Sequence, residues 1–408
     1  MKVLIAGGGT GGHLYPGIAL AEEVVTRHHA NQVVFVGTER GLEARVVPQS
    51  GYKLETIRAQ GLKGKGFVGL VKGLLALPLA FVESIRILQR QKPDVVVGVG
   101  GYASGPVVLA AALLGVPTAV QEQNALPGLT NKVLGRFVRV VFTAFEDARR
   151  FFPSRKVQLV GNPIRRKLME NFLRSRVAHE KFSLLVFGGS LGARGINQRM
   201  IDALDHLQDL KDQLHIIHQT GKKDLETVRQ GYESKGFTAQ AQVVEYIEDM
   251  SDAYARAELV ICRAGATTLS ELTVAKKASI LIPFPFATDN HQEVNAQALV
   301  KAGAALMFRE SELTGQQLAT EIRRLKEDPE KRRQMEKKAG LLGRPEAAKE
   351  LADVLVDLMI QTYGPSGRAE ARGEDPNPKK PSKEKKPGNT ETKAGGTEQQ
   401  PGGSEKQV

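Results

Sequence analysis

His13 closes the glycine-rich stretch GGGTGGH at 7–13, directly behind the apolar run KVLIA. A free imidazole titrates near pH ~6.5, so in a cleft it can take a proton from a hydroxyl around neutrality. The glycines beside it, Gly7, Gly9 and Gly12, have the G-x-G-x-x-G spacing of a loop whose backbone N–H groups approach a phosphate or a sugar. Dinucleotide-binding folds share that spacing, but they also need an acid at the end of the second strand to hold a ribose. Here that strand, QVVFVG, runs out into Gly37 and Thr38, and Glu39 comes slightly late. The loop is therefore read as holding something other than NAD. A second candidate base is Glu122, in EQN at 122–124.

Other polar clusters follow other apolar runs. GGSLGA (188–193) repeats the glycine loop, and the Ser190 hydroxyl beside a helix start suits a pyrophosphate. In RAGATTLSE (263–271) small residues admit a ligand, and Glu271 offers a carboxylate to a ribose diol. TDNHQ (288–292) suits sugar hydroxyls. Each has a plainer reading: a tight turn, an exposed helical glutamate, a capped helix start. Two glycine loops in tandem halves favour the ligand. No Asp-x-Asp pair stands at a strand end, so no metal is expected, and no cofactor is expected either.

Short, continuously apolar runs rich in β-branched residues position these loops. VLIAG, QVVFVG, PDVVVGVGG, TAVQEQN, RVVFTAF and KVQLVGNP alternate with helical stretches, the first of them at 16–27. Such runs mark strands of a parallel sheet covered on both faces. The pattern restarts at FSLLVFGGSLGARGIN (182–197) and continues through LHIIHQTG, QVVEYIEDM, AELVICRAG and ASILIPFP. Two doubly wound, Rossmann-like α/β domains are expected, joined near Gly161-Asn162-Pro163, with their loops facing across a cleft.

The chain has 408 residues, one cysteine and a net charge of +12. The lone Cys262 excludes a disulfide framework and suits a reducing compartment. The basic excess fits anionic lipid or phosphorylated ligands; with no zinc spacing and no stacking aromatic set, nucleic acid is not expected. Strand-like sequence begins at once, so no signal peptide is expected. The apolar stretch 103–120 is broken by Gly115 and Pro117 and reads as a buried helix and strand, and 67–82 holds Lys72 and Pro78. Neither supplies the ~20 apolar residues of a membrane span. Residues 61–92, with Lys63, Lys65, Lys72, Arg86, Arg90 and Lys92 around an apolar face, suit shallow binding to an anionic membrane. From about 363 to 408 the chain is rich in Lys, Pro, Gly, Glu, Ser and Thr, and is expected to be disordered.

In order and spacing, GGTGGH (8–13), GGYASGP (100–106), EQN (122–124), GNPIR (161–165), GGSLGA (188–193), CRAGATTLSE (262–271) and DNHQ (289–292) resemble the MurG family across residues 1 to about 360. These glycosyltransferases add N-acetylglucosamine to the lipid-linked precursor of peptidoglycan. The resemblance implies a GT-B fold. Residues 1–161 would bind acceptor and membrane, 162–341 would hold UDP-GlcNAc, and a helix at about 342–362 would return to the first domain. It also implies inverting transfer to the C4 hydroxyl of MurNAc in polyprenyl-linked lipid I, giving lipid II. The place would be the cytoplasmic face of the cell membrane, near cell-wall and division machinery.

Carried over position by position, Thr10, Gly11 and Gly12 approach the donor from the N-terminal side. Asn124, Arg165 and Ser190 contact it, and Ile247 lies by the uracil. Ala266, Thr267, Thr268, Leu269, Ser270 and Glu271 surround it, with Glu271 on the ribose, and Gln292 reads the sugar. His13 is the leading candidate base and Glu122 its rival. Gln121 departs from the histidine frequent before EQN. The competing readings are a lipid glycosyltransferase with a diacylglycerol acceptor, an NAD-dependent dehydrogenase, and a nucleotide-sugar binder without catalysis.

Overall fold

A computed structural model describes residues 1–59, 66–172 and 180–364, with backbone alone for 66–76. The first sheet holds β1 (Lys2–Gly7), β2 (Gln32–Gly37), β3 (Lys53–Thr56), β4 (Val95–Gly100), β5 (Thr118–Glu122), β6 (Val140–Thr143) and β7 (Val157–Leu159). All its pairings are parallel, in the order β3-β2-β1-β4-β5-β6-β7. The second holds β8 (Phe182–Phe187), β9 (Leu214–Gln219), β10 (Ala241–Val244), β11 (Leu259–Cys262), β12 (Ser279–Leu281) and β13 (Ala305–Met307), ordered β10-β9-β8-β11-β12-β13 and also parallel. Helices cover both faces, which is why Val3–Ile5, Val95–Val97, Leu184–Val186 and Leu259–Ile261 are apolar at consecutive positions rather than alternate ones.

In each sheet the strand order reverses beside the first strand, between β1 and β4 and between β8 and β11. Loops diverge at such a point and leave a crevice at the carboxyl ends. The glycine loop leaves β1, Glu122 ends β5, Ser190 follows β8, the Ala266 segment follows β11 and Gln292 comes after β12.

The last described helix, Ala347–Tyr363, returns to the first sheet. Its Leu351, Ala352, Leu355 and Leu358 join the core containing Val3, Ile5 and Val97. Arg27 reaches Asp353 at 2.6 Å and the Arg139 guanidinium donates to the Thr362 hydroxyl at 2.9 Å.

Some elements differ from the sequence reading. The first helix begins at Gly11, not Pro16, so the glycine loop supplies its first turn and Pro16 lies inside it. Strands β3 (KLET) and β13 (ALM) are too short and, in β3, too polar to stand out. The 67–82 run forms part of one helix, Gly66–Gln91, that contains Pro78. The 103–120 stretch forms the helix Ser104–Leu113 and runs into β5, as expected. Among the described residues no helix is long and apolar enough to cross a membrane. Lys63, Lys65 and the tail from 365 lie outside the described residues.

Candidate active site

Gly7, Gly8 and Gly9 take φ of 151°, 146° and 87°, a path closed to most side chains, and so turn the chain from β1 into the helix Gly11–Arg27. Thr10 stands exposed at the N-cap, and its hydroxyl lies 3.3 Å from His13 Nδ1. His13 lies against the end of β4: a Cβ placed on Gly100 would come within 2.9 Å of the ring. Its desolvated setting pushes the imidazole pKa below its usual value. A hydrogen bond with the Gly8 carbonyl and the charge of Glu43 act the other way. A neutral imidazole at neutral pH is the form a base needs.

The sequence reading missed Glu43. Only 1% exposed, it accepts from Gly9 N at 2.7 Å, Thr38 N at 2.9 Å and the Thr38 hydroxyl at 2.8 Å. Burial pushes its carboxyl up, but these donors outweigh it and hold the pKa below the ordinary range. Glu39 is exposed in the turn after β2.

Glu122 is buried and fully engaged. Oε1 accepts from Asn124 N at 3.0 Å and Asn124 Nδ2 at 3.3 Å. Oε2 accepts from Asn131 Nδ2 at 2.9 Å and Gly128 N at 3.3 Å. Burial raises its pKa despite these donors. Its carboxylate shapes the loop that presents Asn124. Across the cleft the wholly buried Asn295 grips the same loop, accepting from Ala125 N at 2.8 Å and donating to Asn124 Oδ1 at 3.1 Å. No sequence signal marked Asn295, since its partners lie some 170 positions away.

Arg165, Tyr15 and Glu271 converge from the joint and the two halves. The Arg165 guanidinium sits 4.7 Å from the centre of the Tyr15 ring. Glu271 accepts from the Tyr254 hydroxyl at 3.1 Å. Burial pushes Glu271 up to about 7, against the attraction of Arg165 and the Tyr254 bond. Tyr15, Glu22, Arg45, Arg165 and Tyr246 line a cavity of about 440 Å³, and Ile247 is buried beside Tyr246. Ser190 lies exposed in the second glycine loop, between Gly189 and Gly192 at φ of 96° and 76°.

Ala266, Thr267 and Thr268 form the first turn of the helix Ala266–Val274. The next two residues turn away. Leu269 is 1% exposed in the core, and the Ser270 hydroxyl donates to Ala266 O at 3.0 Å. Both line a separate cavity of about 260 Å³ at the joint, with Asn162 and Arg344. Gln292 opens the helix His291–Lys301, and its Oε1 accepts from Phe284 N at 2.9 Å. Cys262 is buried, which pushes its thiol pKa up; it is core filler rather than a nucleophile. Four helices, Gly11–Arg27, Arg194–Leu204, Ala266–Val274 and His291–Lys301, begin at these carboxyl ends and supply positive ends for an anionic ligand.

Residues 3–143 match the glycosyltransferase family 28 N-terminal domain and residues 183–351 its C-terminal domain. A UDP-N-acetylglucosamine–N-acetylmuramyl-(pentapeptide) pyrophosphoryl-undecaprenol N-acetylglucosamine transferase of Myxococcus xanthus is 78% identical over 368 residues, 90% of this chain and 96% of its own. The like-named protein of Anaeromyxobacter sp. (strain K) is 59% identical over 92% of this chain and 98% of its own. The crystal structure of MurG from Acinetobacter baumannii matches with a TM-score of 0.71 at 31% identity, covering 87% of this chain and 99% of that one. The chain belongs to the MurG group of glycosyltransferase family 28.

For a MurG chain, Gln121 is the residue that stood out, and the structure shows what it holds. It is 1% exposed, and Nε2 donates to Gly161 O at 2.9 Å, so the side chain serves the joint between the halves. The two sheets and their parallel order are those of the GT-B architecture of this MurG neighbour.

Proposed function

We propose that the chain transfers N-acetylglucosamine from UDP-GlcNAc to the C4 hydroxyl of MurNAc in polyprenyl-linked lipid I, forming lipid II with inversion at the anomeric carbon. The observation that carries this reading is one imidazole on the N-terminal glycine loop facing a cleft whose other wall holds Glu271 and three helix N-termini, with Arg165 at the joint between them. His13 takes the proton from the attacking hydroxyl. Glu122, with every oxygen engaged, orients the Asn124 loop instead. As the bond to UDP breaks, charge gathers on the pyrophosphate. Arg165, the Ser190 loop and the amides of the Ala266 turn stabilise it, because preorganised donors cost no reorganisation at that moment. Glu271 accepts from the ribose and Gln292 meets the sugar, while Leu269 and Ser270 contribute backbone alone.

Membrane association is part of the proposal. Leu77, Leu79 and Val82 are exposed on the helix Gly66–Gln91, and Leu113, Leu129, Val133 and Phe137 on the elements beyond it, close in sequence to Lys132 and Arg136. Shallow apolar insertion with cations at the headgroups fits a lipid-linked acceptor.

The test is transfer of radiolabelled sugar from UDP-GlcNAc to a short-chain lipid I analogue, with diacylglycerol in a parallel arm. Transfer to diacylglycerol alone overturns the acceptor, and donor binding without transfer overturns catalysis. His13→Ala should lower turnover by about 10²- to 10⁴-fold, the usual worth of a general base; near-normal turnover at saturating substrates removes His13 from that role. Failure to bind anionic vesicles at low salt removes the membrane surface.

A further inference from the structure

Glu43 opens the short helix Glu43–Gln49 and is buried without a cationic partner among the described residues. A buried carboxylate without a counter-ion is costly unless dipoles replace the lost water. Here they come from the N–H groups of Gly9 and Thr38 and from the Thr38 hydroxyl. Gly8, Gly37 and Gly41 surround it: a Cβ on Gly8 or Gly41 would collide with the carboxyl group, and one on Gly37 with the Cγ methylene behind it. In a dinucleotide-binding fold an acid at the carboxyl edge of the second strand turns outward to a ribose. In this chain the acid turns inward and binds the protein's own loop.

That loop leads to His13. Glu43 fixes Gly9, whose neighbour Gly8 supplies the carbonyl that hydrogen-bonds the His13 ring. Gly8 N in turn donates to Gly100 O at 3.2 Å, at the strand end against which the ring packs. We infer that Glu43 is a positioning residue for His13, pinning the Gly8–Gly9 backbone so that the imidazole stands at the cleft wall with its acceptor in place. This rests on the reading of His13 as base. The ionisable groups facing His13 are Glu43, which raises its basicity, and His291 from the helix His291–Lys301, which lowers it.

The experiment compares Glu43→Gln, which keeps the shape, removes the charge and puts an NH2 where one oxygen accepted, with Gly41→Ala, which displaces the carboxylate and keeps its charge. The His13 ring is titrated by NMR, kinetics are measured against pH, and thermal stability is recorded for each variant. For Glu43→Gln the expected result is a lower His13 pKa, with the acidic limb of kcat/KM moved to lower pH. Turnover should fall about 10- to 100-fold, the cost of misplacing a reacting group by about 1 Å, with KM for UDP-GlcNAc within about twofold. Gly41→Ala should lose turnover with a smaller titration shift. A variant that melts earlier but keeps both turnover and the His13 titration makes Glu43 merely structural and overturns the inference. If His13→Ala stays active while Glu43→Gln still moves the His13 titration, the positioning stands and the base assignment fails.

Discussion

On the proposed reading, in which Glu271 meets the donor's ribose, donor binding depends on pH in a direction set by the burial of that carboxyl. Its carboxyl has an ordinary pKa of 4.5 and is pushed up to about 7 by burial, with Arg165 and Tyr254 opposing. A ribose diol would donate to both oxygens of the ionised form, whereas the protonated form keeps one good acceptor and holds the donor more weakly. With a pKa near 7, about one molecule in ten is ionised near pH ~6 and about nine in ten near pH ~8. The dissociation constant for UDP-GlcNAc should therefore tighten over that interval by as much as about tenfold, or about 1.4 kcal/mol. The sugar nucleotide is the right probe, because its pyrophosphate diester does not titrate there. Unliganded stability runs the other way. A folded pKa above the unfolded value gives stability that is complete below pH 4.5 and lost as pH rises past about 7. The loss is at most about 3 kcal/mol, trimmed because the residue is only partly buried. Glu271→Gln should melt later than the wild type near pH ~8, bind the donor more weakly there, and lose the pH dependence. Titration calorimetry at about pH 6, 7 and 8 on both proteins decides the matter. A flat wild-type affinity, or a Gln variant that keeps the slope, refutes the reasoning.

Acid should destabilise the second half through His218, which is buried between the Tyr232 hydroxyl and Asn197 Oδ1, each 3.1 Å away. Burial lowers its pKa from 6.5 to about 3, so stability present above 6.5 is lost progressively as pH falls toward 3. At pH ~5 the loss is about 2 kcal/mol; urea unfolding of the second half, followed in Glu271→Gln where the opposing titration of that half's Glu271 is gone, should show it, and an unchanged midpoint between about pH 7 and 5 would count against it. Leu355→Ala, at a wholly buried position of the returning helix, should cost about 2–5 kcal/mol in the same assay, and a cost below about 0.5 kcal/mol would mean that this helix does not secure the first sheet. Truncation after Tyr363 should leave the rate of sugar transfer unchanged, and a large rate loss would give the tail a catalytic role.

Most of the scaffold is legible in the chain because parallel strands buried on both faces must be apolar at every position. VLIA, VVFV, VVVGV, LLV and LVIC therefore stand out without knowledge of their partners. KLET and ALM do not, because their pairing partners rather than their composition make them strands. The candidate site was legible where a backbone requirement selects glycine, as at Gly7–Gly9 and Gly189–Gly192, and where polar residues cluster behind a strand.

Side-chain direction was not legible. Leu269, Ser270 and Glu271 are consecutive, yet successive helical residues turn by about 100°. One lies in the core, one bonds its own helix and one meets Tyr254. Nor did spacing distinguish the surroundings of His13 from those of Glu122, two ionisable groups behind strand ends; in the fold four donors engage Glu122 and a pinned loop lies beneath His13. Local sterics and burial make two doubly wound sheets and their glycine loops readable in the chain, and the ordered set of motifs carries the resemblance to MurG. The tertiary fold is what lets Glu43 grip the glycine loop, Asn295 span the cleft to Asn124, and Arg165 stack on Tyr15 within reach of the Glu271 charge. Such contacts depend on where distant segments meet in space, and no local pattern encodes that.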